Sequence, residues 1–130
     1  MSQASYEQAL RNMASQRAVM LTSFKRDGTP VGTPVNIAVE GDHAYVRTYD
    51  KSWKYRRLLH NPEVEIAPST MSGKVTGPAI HARARLLHGE EAEHAGKAID
   101  QKHKLLQGVF VPLYHKLKHY ETVHFELKAA

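Results

Sequence analysis

The spacing of apolar residues predicts a helix near the start of the chain. In the segment SYEQALRNMAS, apolar side chains recur every three or four residues, at Tyr6, Ala9, Leu10 and Met13. This period places them on one face of a helix. Ser5 stands where a hydroxyl caps a first turn. We therefore predict an amphipathic helix within residues 1–16.

After this helix the pattern changes to short strands joined by tight turns. Residues 18–24 (AVMLTSF) form an apolar run with β propensity. The dipeptides DG at 27–28 and GD at 41–42 are typical of hairpin turns. These signals predict consecutive strands over residues 18–24, 30–40 and 43–49. Pro30 and Pro34 restrict their part of the second strand to an edge or a bulge.

A short helix is predicted to interrupt the strands within YDKSWKYRRLLHNP, residues 49–62. Ser52 is a favourable N-cap, and Asn61 followed by Pro62 ends the helix. Beyond it, apolar or alternating runs predict three more strands, over residues 64–68, 79–88 and 122–127. Helical patterns between the last two strands cover residues 90–106 and 111–117.

Six strands, short hairpins and few helices predict a mainly β fold, an antiparallel barrel with helices packed outside. A chain of 130 residues suits one domain. We therefore predict a single domain over residues 1–130, with a helix in 1–16 and the barrel with its inserted helices in 17–127. The nucleotide-binding patterns GxGxxG and GxxxxGKS/T are absent. A nucleotide-like ligand would need a different kind of site.

Composition excludes several protein classes. A hydrophobic content of 42% is typical of neither disordered nor fibrous chains. No apolar run approaches the roughly 20 residues of a membrane-spanning helix, and the polar start lacks the apolar stretch of a signal peptide. With 0 cysteines, the chain can form no disulfide and no thiolate metal site. We expect a cytoplasmic protein without a membrane span.

The charge of the chain predicts an anionic ligand and a place for it. A net charge of +5 favours acidic partners. In the predicted helix after Ser52, Lys54 and Arg57 are three residues apart and share a face. The helix N-terminus offers unpaired N–H groups, and Thr48 can bring a second hydroxyl beside it. These groups together predict a phosphate site.

Two other interpretations of this basic segment stay open. One is a solvated helix face, which is what most clusters of this kind are. The other is a nucleic-acid surface on which Trp53, Tyr49 and Tyr55 stack against bases. The rest of the chain lacks a basic strand face interleaved with aromatic residues, which argues against nucleic acid.

The nine histidines raise the question of a metal site. His115 and His119 have the spacing of two ligands on one helix face. Lys116 and Lys118 flank them with positive charge, and the glutamate of a zincin motif is missing. We predict no metal site. A Ser-His-Asp triad has no GxSxG turn to support it.

Three stretches, taken together, resemble one family. The run RTYDKSWKYRRLLHNPEVEIAP (47–68) resembles flavin and deazaflavin oxidoreductases of the pyridoxamine 5′-phosphate oxidase-like class. It is most similar to members that depend on coenzyme F420, an 8-hydroxy-5-deazaflavin. TSFKRDGTPVGTPVNIAVEGD (22–42) resembles their DGxPxxTPV hairpin, and GKVTGPAIHARARL (73–86) resembles their GxxTGP loop and next strand. The resemblance covers about residues 17–127.

The resemblance implies a six-stranded split β-barrel of Greek-key topology, with the cofactor in a groove between the two subunits of a homodimer. It assigns the cofactor phosphate to Thr48, Ser52 and Lys54, with Arg57 close by. It places the deazaflavin ring against Pro34, Val35 and Asn36. Residues near Gly77 and Pro78 would reach the ligand of the second subunit. Trp53 stands where related flavin enzymes often have arginine, which suggests a stacking contact or a wall of the site in place of a further phosphate contact.

The implied activity is that of a coenzyme F420-dependent reductase, which transfers a hydride from reduced deazaflavin to an electron-poor small organic substrate. The cations Lys51 and Arg56 suit the acidic tail of F420, which flavin mononucleotide (FMN) lacks. An FMN-dependent oxidoreductase on the same fold and a non-catalytic F420 carrier or storage protein are the alternatives. The sequence identifies neither a catalytic residue nor the substrate.

Overall fold

The computed structural model of the protein describes residues 2–107 and 122–130. The helix predicted over residues 111–117, with His115 and His119, lies outside the described residues. The described part of the chain holds seven strands and three helices. The strands are β1 (Ala18–Phe24), β2 (Pro30–Val35), β3 (Ile37–Glu40), β4 (His43–Tyr49), β5 (Glu63–Ser69), β6 (Ile80–Leu86) and β7 (Thr122–Ala129). The helices are α1 (Gln3–Met13), α2 (Trp53–His60) and α3 (Gly89–Gln107).

The strands form one antiparallel sheet in the order β2-β1-β5-β6-β7-β4-β3. Strands β2 and β3 lie at opposite edges of this sheet, although Asn36 alone separates them in sequence. The sheet therefore curls until its edges approach each other, but no ladder among the described strands joins β2 to β3. The predicted fold class, a mainly β split barrel with flanking helices, is confirmed.

One predicted strand is divided in two. The pattern of residues 30–40 predicts a continuous strand, but the chain changes its pairing partner at Asn36. Val35 pairs with Val19 on β1, whereas Ile37 pairs with Val46 on β4. The strand count therefore rises from the predicted six to seven. Apolar alternation does not reveal such a change, because the residues on both sides of Asn36 keep extended backbone.

The predicted hairpin turns are present on both sides of this long segment. Gly28 has a φ of 88° and Gly41 a φ of 62°, in the left-handed region that glycine adopts most easily. In the first turn the backbone N–H of Thr29 donates to Asp27 Oδ1 at 2.9 Å. These turns fix which residues of β1, β2, β3 and β4 face the core.

Helix α1 buries the face that its apolar spacing predicts, with Tyr6, Leu10 and Met13 in the barrel core. Its N-cap is Ser2, whose Oγ accepts the backbone N–H of Ser5 at 3.1 Å. The predicted cap at Ser5 is therefore wrong. Ser2 offers the same hydroxyl three residues earlier, so the helix begins at Gln3.

Helix α3 packs outside the sheet, against β3, β4 and β7. Ala95 and Ile99 are buried in a small second core. The Lys102 ammonium donates to the carbonyl oxygen of Ile37 at 2.6 Å, and burial lowers the pKa of Lys102 to about 8. Helix α3 thus fixes the beginning of β3, directly after Asn36.

Two expected absences concern only the residues that the structure describes. None of their helices combines the length and apolar character needed to cross a bilayer. No three of their histidine, aspartate or glutamate side chains are grouped as metal ligands would be.

Candidate functional site

The first cavity lies between β2, β4 and the beginning of α2, and it has a volume of about 250 Å³. Half of the residues that the sequence predicts as cofactor-binding line it: Pro34, Val35, Asn36, Thr48 and Lys54. They come from three segments that the barrel brings together. Four further residues complete the wall: Ala18, Arg47, Tyr49 and Met71.

Lys54 is the basic residue that defines this cavity. It belongs to the first turn of α2, and its side chain is half-buried. Burial lowers the pKa of the Lys54 ammonium, and the positive charge of Arg57 lowers it further. No hydrogen bond or salt bridge joins Lys54 to any other residue within 2–107 and 122–130. A bound anion would compensate this charge.

Ser52 and Thr48 form a hydroxyl pair at the beginning of α2. Ser52 Oγ accepts the backbone N–H of Tyr55 at 3.0 Å and donates to the carbonyl oxygen of Tyr49 at 2.9 Å. Thr48 Oγ1 lies 3.0 Å from Ser52 Oγ, so Thr48 is the donor of that bond. The predicted N-cap at Ser52 is confirmed. Because Ser52 caps the N–H of Tyr55, the backbone N–H groups of Trp53 and Lys54 in the first turn can donate to a ligand.

Trp53 and Arg57, also predicted as cofactor-binding, line a second cavity between α2 and the β1–β2 hairpin. Arg57 donates its Nε–H to the buried hydroxyl of Ser23 on β1 at 2.7 Å. Trp53 is 72% exposed, and the Arg56 guanidinium lies over its ring. Lys54 and Arg57 therefore lie on different cavities, although they share a side of the helix. The cofactor roles of Trp53 and Arg57 stay predictions.

Gly77 and Pro78 line neither cavity. The backbone N–H of Thr76 donates to the carbonyl oxygen of Pro68 at 2.8 Å, which holds this loop against the end of β5. A Cβ on Gly77 would lie 2.6 Å from Cγ of Pro68, so only glycine fits this approach. The predicted contact with a second subunit's ligand stays a prediction.

Arg47 is the main polar residue of the first cavity that the sequence prediction missed. Helix α3 holds its guanidinium: Nη2 lies 3.1 Å from the Gly96 carbonyl oxygen and 2.8 Å from Asp100 Oδ1. Its Nε–H donates to His124 Nε2 at 3.2 Å. Burial, and then the charge of Arg47, lower the pKa of His124 to about 4. Arg47 is therefore a positioned cation whose charge is partly balanced by Asp100.

One sequence signal pointed to Arg47. In HAYVRTY it is a cation in the middle of a strand and directly precedes Thr48. Its partners Gly96, Asp100 and His124 lie far away in sequence, so no local pattern predicts the network.

A comparison with protein families identifies the chain. The model of the pyridoxamine 5′-phosphate oxidase family matches residues 6–127, nearly the whole sequence. The chain belongs to the pyridoxamine 5′-phosphate oxidase family. The resemblance in the three sequence stretches is thereby confirmed at the level of the family. No protein of curated function matches the chain in sequence.

Solved structures share the split barrel of this pyridoxamine 5′-phosphate oxidase family member. An FAD-binding protein from Mesorhizobium loti is 17% identical with a TM-score of 0.62, over 99% of this chain and 88% of that one. The haem storage protein of Vibrio cholerae is 15% identical with a TM-score of 0.64, over 100% and 92%. A haem binding protein from Mycobacterium smegmatis is 19% identical with a TM-score of 0.69, over 99% and 52%. At these identities the likeness is one of fold.

Proposed function

We propose that the protein is a coenzyme F420-dependent reductase that transfers a hydride from reduced deazaflavin to an electron-poor small organic substrate. The observation that carries the proposal is Lys54, a half-buried cation in the first turn of a helix, on the wall of a cavity. Burial and the charge of Arg57 both disfavour its ammonium form. A cofactor phosphate would offset both effects.

In this proposal the phosphate lies at the beginning of α2. Lys54 supplies the charge, and the amides of Trp53 and Lys54 supply backbone donors. Ser52 caps the helix and holds Thr48, so Ser52 positions the site. Thr48 can turn its hydroxyl from Ser52 toward the phosphate. The guanidinium of Arg57 adds positive potential close to Lys54.

The ring of the cofactor lies in this proposal against Pro34, Val35 and Asn36, at the point where β2 passes into β3. Val35 and Pro34 give an apolar wall, and the amide of Asn36 can hydrogen-bond the edge of the ring. When bound, the reduced deazaflavin supplies a hydride from carbon 5 of its ring. The chain orients that ring and shields one face from water.

A cytoplasmic homodimer is part of the proposal. A cavity of about 250 Å³ is smaller than the roughly 300–1,000 Å³ of most small-molecule sites. A second copy would complete the groove. Gly77 and Pro78, which line neither cavity of their own chain, would then contact the partner's cofactor.

FMN is the second candidate cofactor, and the FAD-binding relative from Mesorhizobium loti supports a flavin on this fold. Lys51, exposed beside Ser52, and the net charge of +5 favour F420, whose tail carries several carboxylates. A carrier without turnover is the third candidate. The haem storage protein of Vibrio cholerae supports a storage role on this fold.

Equilibrium titrations with F420 and with FMN, followed by cofactor fluorescence, test the proposal. We expect F420 to bind more tightly, with a preference that shrinks as salt screens the tail. Tighter binding of FMN, or a flavin spectrum of the purified protein, would favour the second candidate. Oxidation of reduced F420 by a panel of enones and quinones distinguishes the reductase from the carrier, which would give no turnover.

A further inference from the structure

The second cavity, between α2 and the β1–β2 hairpin, has the size and lining of a separate ligand site. Its volume is about 790 Å³, within the range of small-molecule sites. Its apolar lining residues are Phe24, Val31 and Trp53. Its other lining residues are all basic: Lys25, Arg26, Arg56, Arg57 and His60.

The charge of this cavity is unbalanced. None of its lining residues is acidic, and no salt bridge in the described residues involves its five basic ones. Asp27, the acid nearest to them in the hairpin, accepts the backbone N–H of Thr29, and its charge acts on Lys25 without forming a salt bridge. The basic side chains repel one another, and an anionic ligand would relieve that repulsion.

The aromatic wall selects the kind of anion. Trp53 is 72% exposed, which is unusual for so large an apolar side chain. The Arg56 guanidinium carbon lies 5.0 Å from the centroid of the Trp53 ring, a cation–π contact. An aromatic ligand could stack on the exposed indole while its acidic groups contact the cations.

The cations stand on two opposing elements. Lys25 and Arg26 belong to the hairpin, whereas Arg56 and Arg57 belong to α2. The bond from Arg57 Nε to Ser23 Oγ, at 2.7 Å, keeps one of these charges in place. A ligand with one acidic group would contact only one set of cations well. We propose that the second cavity binds a small aromatic molecule with two acidic groups, at a site separate from the cofactor.

Trp53 is the one tryptophan of the chain, so its fluorescence reports directly on this cavity. The probe is naphthalene-2,6-dicarboxylate, with its neutral dimethyl ester and the aliphatic hexanedioate as matched controls. We expect the dicarboxylate to quench Trp53 fluorescence and, by calorimetry, to bind at least about tenfold more tightly than either control. Equal affinity for the ester or for hexanedioate would overturn the proposal.

Substitutions locate the site. Arg56→Gln and, on the opposite wall, Arg26→Gln should each weaken dicarboxylate binding about tenfold. Lys51→Gln, an exposed neighbour that does not line the cavity, should leave it unchanged. Circular dichroism checks that each variant is folded. Unchanged affinity in both arginine variants would contradict the proposal, and so would tighter, steeply salt-dependent binding of an oligonucleotide.

Lys54→Met separates this proposal from the cofactor proposal. It should weaken F420 binding and leave dicarboxylate binding unchanged. If it weakened both equally, the two ligands would share one site and the second site would be disproved. If the wild type bound the dicarboxylate but neither F420 nor FMN, the proposed function would fail and the second site would stand.

Discussion

Arg47 and His124 are direct neighbours across the β4–β7 pair, and Arg47 donates its Nε–H to His124 Nε2. A ring nitrogen that accepts this bond carries no proton, so His124 is neutral, with its proton on Nδ1. The same guanidinium contacts Gly96 and Asp100 of α3. Protonation of His124 would therefore break this side-chain bond between β7 and Arg47, which lines the first cavity.

This relationship predicts a pH dependence of stability. The pKa of His124 is about 4 in the folded protein, against 6.5 for an ordinary histidine. Between these values the unfolded chain binds a proton that the folded chain does not, so stability falls as pH decreases from 6.5 toward 4. We expect the free energy of unfolding to fall by about 1–2 kcal/mol over this range. This is less than the full pKa difference implies, because solvent screens part of the charge. Urea unfolding across this pH range measures it.

His124→Gln is the control for this effect. Glutamine can still accept the Arg47 N–H but does not titrate. The free energy of unfolding of this variant should therefore change less between pH 6.5 and 4 than that of the wild type. Contributions from groups far from His124 are common to both proteins and cancel in the difference. Identical slopes would show that His124 binds its proton over the same pH range in the folded and the unfolded chain, which would contradict the prediction.

Lys54→Met should reduce F420 affinity about 10- to 100-fold, because a charge-assisted contact to phosphate is lost. Stability should stay equal or increase, since methionine keeps the apolar stem and removes the charge that burial and Arg57 disfavour. Lys97→Met, an exposed lysine on α3, is the matched control and should change neither quantity. A Lys54 variant that is destabilised but binds F420 normally would contradict the phosphate assignment.

Two substitutions of Ser52 separate capping from cofactor binding. Ser52→Ala removes the acceptor of the Tyr55 N–H and should cost about 1 kcal/mol of stability. Ser52→Asp keeps a capping oxygen and should preserve stability. Its carboxylate would repel a phosphate, so F420 affinity should fall in this variant. Urea unfolding and F420 titration of both variants give the two readouts, and tight F420 binding by Ser52→Asp would count against the site.

Gly77→Ala should destabilise the protein by about 1–3 kcal/mol, because its Cβ would meet Cγ of Pro68 at 2.6 Å and a proline ring cannot rotate away. Pro68→Ala in the same chain should restore part of this loss. A double-mutant cycle measured by urea unfolding gives the coupling free energy. Additive effects would show that the two residues do not clash.

Local features of the fold were predictable from the sequence. The turn at Gly28 and the alternation that buries Ile80, Ala82 and Ala84 depend on neighbouring residues alone. The division of the predicted strand at Asn36 was not predictable in this way, because it arises when β3 pairs with β4 rather than with β1. Such a choice of partner depends on the whole sheet.

The candidate site shows the same limit. Capping by Ser52 and the position of Lys54 follow from residues within one helical turn. Arg57 lies on the same side of α2 as Lys54. Its guanidinium, however, donates to the hydroxyl of Ser23 on β1 and lines the second cavity. Helical spacing does not specify the contacts of long side chains, so the sequence predicted one basic site where the described residues place Lys54 and Arg57 on separate cavities.

Asn36 connects the two edges of the sheet and also lines the first cavity. A backbone rotation at Asn36 therefore moves the two edges of the sheet and the wall of the first cavity together. Evolution or engineering cannot widen the first cavity by moving the backbone at this position without also disturbing the pairing of β2 with β1 or of β3 with β4. The width of the first cavity and the distance between the two sheet edges are therefore coupled through a single residue.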